Sequence, residues 1–213
     1  MKVLLLNGSP RKNGCTNRAL TEIEKTLQEE GVESEIFHIG SNSISPCRAC
    51  RACAKLKKCV IEDDRVNEFV EKAKDFDGFI IGSPVYYAAA AGGLVSFLNR
   101  AFFQVSMSNN REVFLRKPAA AIVSARRAGT SATLDQLNKY FTITQMPIIS
   151  GRYWNQVHGQ TPEDVEKDLE GLQNLRILSR NFAYYLKCIE AGKKLGIEPP
   201  KQEETIYTNF INE

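Results

Sequence analysis

Four cysteines fall within thirteen residues, in the order Cys47-x-x-Cys50-x-x-Cys53-x5-Cys59. Thiolates are soft ligands, and four on one short stretch can surround an iron–sulfur cluster or a tetrahedral zinc ion without closing a long loop. The last gap, five residues rather than three, differs from the bacterial ferredoxin run, and a metal-free thiol loop stands as a third reading. A disulfide framework fits poorly, because the cysteines crowd into one segment of an otherwise ordinary intracellular composition.

Three further segments carry polar or small residues suited to a ligand. The first, Asn7-Gly8-Ser9-Pro10-Arg11-Lys12-Asn13-Gly14-Cys15-Thr16-Asn17, runs into a helix whose free N–H groups and dipole favour an anion. Ser9, Thr16 and Asn17 offer donors and Arg11 a charge. Gly8 and Gly14 stand too far apart for a dinucleotide fingerprint and no Gly-Lys-Ser/Thr follows, which argues for a monophosphate. The plainer reading is a polar turn capped by Thr16. The second segment, Ser83-Pro84-Val85-Tyr86-Tyr87 followed by Ala and Gly, suits a flat heterocycle, unless the tyrosines are core residues. The third, Ser124-Ala125-Arg126-Arg127-Ala128-Gly129-Thr130, combines close backbone approach at Gly129 with two guanidinium groups, which suit an anionic ring or the phosphate of a nicotinamide cofactor.

These segments need a scaffold, and the apolar pattern supplies it. Residues 2–6 read as a parallel strand covered on both faces, and residues 17–30 as an amphipathic helix stopped by Gly31. Strands are expected at 32–39, 77–81 and 118–124, with a shorter fifth at 146–149. Helices are expected at 64–74 and 94–103, and one long helical element at 163–192. Alternating strands and helices predict a parallel α/β sheet, whose ligands bind beyond the carboxyl ends of the strands, and each of the three segments ends a strand.

At 213 residues and 43% hydrophobic content the chain can bury one sizeable core. One domain is expected over 1–192, containing the cysteine-rich insertion 47–59. Residues 193–213 form an extension that reads either as a tail or as an arm held by another subunit. A charge of +3 from 28 basic and 25 acidic residues gives no reason to expect a nucleic-acid partner. No apolar stretch approaches the roughly 18 residues of a membrane span, so a cytoplasmic protein is expected. Cys188 reads as a small buried hydrophobe, and neither His38 nor His158 has an acidic or serine partner at motif spacing.

The combination of Gly8-Ser9-Pro10-Arg11 with Thr16-Asn17, Ser83 to Tyr87, and Ser124 to Thr130 resembles the NADPH-dependent FMN reductase family over residues 1–160. Within it the cysteine run resembles the motif of the iron–sulfur flavoproteins. The resemblance implies a flavodoxin-like, doubly wound, five-stranded parallel sheet of order 2-1-3-4-5. It also implies FMN, a 4Fe-4S cluster on Cys47, Cys50, Cys53 and Cys59, and NAD(P)H as electron donor to an unknown acceptor. By the same resemblance Ser9, Arg11, Asn13, Thr16 and Asn17 surround the FMN phosphate. Pro84, Val85, Tyr86 and Tyr87 line the isoalloxazine, and Ser124, Ala125, Arg126, Arg127 and Gly129 close the pocket. Cys15 departs from the small polar residue common in that loop. A homodimer or larger assembly with the pocket near an interface is expected. The rival readings are a non-enzymatic electron carrier similar to flavodoxin and a zinc-bound interaction module.

Overall fold

In the computed structural model, which describes residues 1–208 and 210, the interior strand β1 (Lys2–Asn7) is buried from Val3 to Asn7. It pairs in parallel with β2 (Glu33–His38) on one side and β3 (Gly78–Tyr86) on the other. Beyond β3 lie β5 (Ala119–Ala125) and β6 (Gln156–His158), also parallel. The two-residue β4 (Ala89–Ala90) folds back antiparallel onto Val85 and Tyr86. The parallel strands therefore run β2-β1-β3-β5-β6, the expected 2-1-3-4-5 order with one small hairpin strand added.

Alternation along β1 assigns the two cores. Val3 and Leu5 face a layer of α1 (Cys15–Glu29), α6 (Pro162–Lys167) and α7 (Leu169–Lys194), with Leu20, Ile23, Leu178 and Phe182 among its buried residues. Leu4 and Leu6 face α3 (Val66–Ala73), α4 (Gly92–Met107) and α5 (Thr130–Ile143). On that side Phe69 and Phe97 meet edge-on at 5.3 Å, and Phe102 stacks on Phe114 at 4.4 Å. Each such ring removed from water stabilises the fold by roughly 1.5–3 kcal/mol before ordering costs. Within the first layer α1 is tied to α7 by Glu22, which accepts from Arg176 at 2.6 Å and from Arg18 of its own helix at 3.1 Å.

Several expectations need correction. Residues 146–149 are not the fifth strand: Ile148 makes a single parallel bridge to Ala119. The chain then swings out and returns as β6. Asn155 bridges the gap, its Nδ2 donating to Ala121 O at 3.2 Å and its carbonyl accepting from Val123 N at 2.9 Å. Asn174 clamps the excursion by accepting from Arg152 N and Tyr153 N. Strand β3 runs five residues past its expected end, so Gly82 to Tyr86 are strand rather than loop. The element expected at 163–192 is broken at Asp168, which caps α7 by accepting from Gly171 N at 2.9 Å. Cys188 is exposed rather than buried, because α7 turns Leu178, Phe182 and Leu186 inward.

Beyond α7 the extension touches its own chain at two points, where Arg116 donates to Pro200 O and Gln145 pairs with Gln202, and residues 203–208 are exposed. Residues 209 and 211–213 of that extension lie outside the described residues. Among the described residues no helix is long and apolar enough to cross a membrane.

Candidate functional site

Asn7, buried at the end of β1, shapes the first loop. Its Oδ1 accepts from Ser9 N at 3.1 Å, while Nδ2 donates to Lys12 O at 3.1 Å and Asn17 Oδ1 at 3.3 Å. Ser9 Oγ in turn accepts from Arg11 N at 3.1 Å. Gly8 N donates to Gly82 O at 2.9 Å, and a Cβ at Gly8 would stand 2.7 Å from that carbonyl, so only glycine allows the loop to lie against β3. The loop delivers the chain to Gly14, the extended N-cap of α1, where no side chain accepts from the helix N–H groups. Thr16 is not a cap: its hydroxyl pairs with Ser124 Oγ at 2.8 Å, joining the first loop to β5. The uncapped helix start is thus left facing ligand space, where an anion is favoured.

A cavity of about 470 Å³ opens there, beyond the carboxyl ends of β1, β3 and β5. Ser9, Arg11, Asn13 and Thr16 line one wall, Pro84, Val85 and Tyr86 another, and Ser124, Ala125 and Arg126 a third. Arg11 and Arg126 add two cations to the positive end of α1. Four expected site residues stand outside this lining. The Asn17 amide is turned toward Asn7, Arg127 is exposed, and Tyr87 is fully exposed on a left-handed backbone at φ 60°. Gly129 lies behind the wall: its φ of 91° starts α5, and a Cβ there would come within 2.9 Å of Val85 Cγ1.

The remaining wall was not signalled as a site by any ligand motif. It is Gly159, Gln160, Thr161 and Pro162, just past β6. Its trace in the sequence is Thr161-Pro162-x-Asp164, a helix start whose capping box positions the loop. Cys15 joins the lining and donates to Gly159 O at 3.5 Å. Burial pushes this thiol above its ordinary value, so it stays neutral and does not repel an anion at the helix start. His38 is also drawn in, with Nε2 2.8 Å from Ser9 O. A second cavity of about 360 Å³ shares Tyr86 and is walled by small residues, among them Gly40, Ser41, Ala91 and Gly92.

The cysteine segment makes a separate site. Cys47, Cys50, Cys53 and Cys59 all line one small cavity of about 30 Å³ together with Arg100 and Gln104 of α4. Ala49, Arg51 and Lys57 adopt left-handed backbone at φ 52°, 57° and 60°, curling the chain around it. Asn67 fixes the far end, accepting from Cys59 N at 2.9 Å and donating to Cys59 O at 3.0 Å. Burial pushes the Cys53 thiol up, and the neighbouring cysteines add to the rise. Among the described residues no three Cys, His, Asp or Glu groups stand in an arrangement that holds a metal ion. The donor set nevertheless suits a soft metal by its chemistry: four cysteines line the cavity and no carboxylate does.

The sequence model of NADPH-dependent FMN reductases matches residues 1–161. The chain belongs to that family. An iron–sulfur flavoprotein of Methanocaldococcus jannaschii is 31% identical over 196 residues, covering 89% of this chain and all of the relative. Among solved structures, RosB with its bound intermediate 8-demethyl-8-formylriboflavin-5'-phosphate is similar at a TM-score of 0.67 and 13% identity, covering 100% of this chain and 92% of its own. A flavodoxin from the Archaea is similar at 0.58 and 13%, covering 88% of this chain and 99% of its own. The fold is flavodoxin-like, and the family member described here is an FMN-dependent oxidoreductase.

Proposed function

We propose that this FMN reductase family member takes electrons from NAD(P)H at FMN held in the 470 Å³ cavity, and passes them by way of a 4Fe-4S cluster on Cys47, Cys50, Cys53 and Cys59 to a further acceptor. The observation that carries the reading is the convergence of three strand-end loops on one cavity at an uncapped helix start. FMN supplies hydride acceptance and single-electron release when bound, which no side chain here needs to supply. The chain's own residues bind and orient. Arg11 and the first turn of α1 take the phosphate, with Ser9, Asn13, Thr16 and Asn17 shaping that end. Pro84, Val85 and Tyr86 wall the ring system, and Ser124, Ala125 and Arg126 close it. Gly129 supports the Val85 wall from outside the lining, while Tyr87 and Arg127 stand exposed beside it.

The cluster assignment is supported by the four gathered thiols and by the iron–sulfur flavoprotein among the relatives. Residues 1–192 act as the flavin domain and the extension as an appendage of a cytoplasmic homodimer. Tyr153 and Trp154, both exposed and stacked edge-on at 4.3 Å, are apolar surface that a second copy can cover.

The test is anaerobic purification and reconstitution with flavin, iron, acid-labile sulfide and zinc quantified, followed by mixing with NADPH and with NADH. Bleaching of the flavin by a nicotinamide and iron matched by sulfide are expected. Flavin that neither nicotinamide reduces points to an electron carrier, and zinc without sulfide points to an interaction module.

A further inference from the structure

Helix α4 presents two polar side chains, one turn apart, to the cysteine cavity. Arg100 is 1% exposed, and burying a guanidinium in a helix face costs several kcal/mol of hydration, which an apolar residue would avoid. Its contacts explain the position. Nη1 donates to Ser45 O at 3.3 Å and pairs with the carboxylate of Asp64, and Nη2 donates to Ile61 O at 2.7 Å. These anchors lie on both flanks of the cysteine run. The remaining nitrogen, Nε, donates to Cys59 Sγ at 3.3 Å. Gln104 is 3% exposed, and its buried Oε1 has no hydrogen-bond partner, although a buried amide oxygen left unpaired is costly. Rotation of the amide by half a turn replaces that oxygen with an N–H pair.

We propose that Arg100 and Gln104 are positioning residues for the cluster, which together hold N–H donors toward its sulfurs. This rests on the cluster reading above. Arg100 fixes Cys59, the ligand set apart by the five-residue gap, and offsets sulfur charge. The partner assigned to the unpaired Gln104 amide is a cluster sulfur. Hydrogen bonds to sulfur favour the reduced, more negative cluster and so raise its potential.

The experiment compares anaerobically reconstituted wild type with Gln104→Leu and Arg100→Lys, reading iron and sulfide content, FMN content and cluster midpoint potential. Gln104→Leu removes an unpaired buried polar group, so the metal-free variant is expected to be at least as stable as wild type. Its loaded form is expected to shift the reduced-to-oxidised ratio at fixed potential by about threefold toward oxidised. Arg100→Lys keeps the charge and loses the planar fork. It is expected to shift the ratio about tenfold, or about 59 mV for a one-electron couple, and to lose iron faster. In protein carrying ¹⁵N-arginine, pulsed EPR of the reduced cluster is expected to show a nitrogen coupling that Arg100→Lys removes while Arg48 and Arg51, which also line the cavity, stay in place. Loaded variants at the wild-type potential, or no arginine coupling, overturn the proposal while leaving the cluster intact. A wild type that takes up FMN but neither iron nor sulfide overturns the cluster reading itself, and the proposal with it.

Discussion

Replacing Gly129 with alanine tests how the wall of the large cavity is supported. Gly129 has φ 91°, and the left-handed region costs an L-residue about 1–2 kcal/mol. The added Cβ would also stand 2.9 Å from Val85 Cγ1, and valine, branched at Cβ, has little freedom to rotate away. Overpacking of this kind costs about 1–3 kcal/mol, so Gly129→Ala should destabilise the protein by roughly 2–5 kcal/mol, a large share of the roughly 5–15 kcal/mol typical of a domain. The two contributions separate in a double-mutant cycle. In a Val85→Ala background the methyl contact is gone and only the backbone cost remains, giving a coupling of about 1 kcal/mol or more. Equilibrium urea unfolding of the four proteins measures this, and FMN affinity should fall in Gly129→Ala because Val85 lines the cavity. A neutral Gly129→Ala, or the same cost in both backgrounds, would refute the reasoning.

Arg11→Ala should weaken FMN by about tenfold and riboflavin hardly at all, since only FMN brings a phosphate to the helix start; equal losses in a fluorescence titration would move Arg11 away from it. Tyr86→Ala should change flavin affinity or potential, whereas Tyr87→Gly should leave affinity intact and relieve a left-handed backbone, raising stability by up to about 1 kcal/mol in thermal unfolding. Burial pushes the Glu22 carboxyl upward, but hydrogen bonds from Arg176 and Arg18 outweigh it and hold the group below its ordinary value of 4.5. A depressed carboxylate stabilises the folded state above the unfolded value and ceases to do so as pH falls through the folded one. Glu22→Gln should therefore cost about 1–2 kcal/mol at pH 7, and the gap to wild type should close on acidification below about pH 4.5, as followed by denaturant unfolding at each pH.

The continuous apolar run of β1 and the three- and four-residue spacing of Leu20, Ile23 and Leu27 made the start of the fold legible, and with it the edge where ligands gather. The fifth strand was obscured because the apolar segment at 146–149 supplies one bridge only. The three-residue β6, Gln-Val-His, carries no strand period and depends on Asn155 and Asn174, whose partners are distant in sequence. Helix α5 begins at a left-handed glycine with no capping side chain and mixes Thr, Ser and Asn into its length, so neither a start signal nor a strong stripe announces it. In the site, residue types located the polar loops but could not separate Tyr86, which lines the cavity, from Tyr87, which does not. Only the backbone at φ 60° turns Tyr87 outward. Arg100 and Gln104 were hidden for a related reason: the helix was expected only over 94–103, and their meaning comes from a cavity lined by cysteines that stand forty residues and more earlier in the chain.

The central claim is that FMN sits with its phosphate at the start of α1. Fluorescence titration of flavin-free protein with FMN and with riboflavin, side by side, tests it most directly. One FMN per chain is predicted, bound at least tenfold more tightly than riboflavin, a margin that added salt narrows because the phosphate contact is charged. Equal affinity for the two flavins would contradict the placement of the phosphate, and no saturable binding of FMN would contradict the account as a whole.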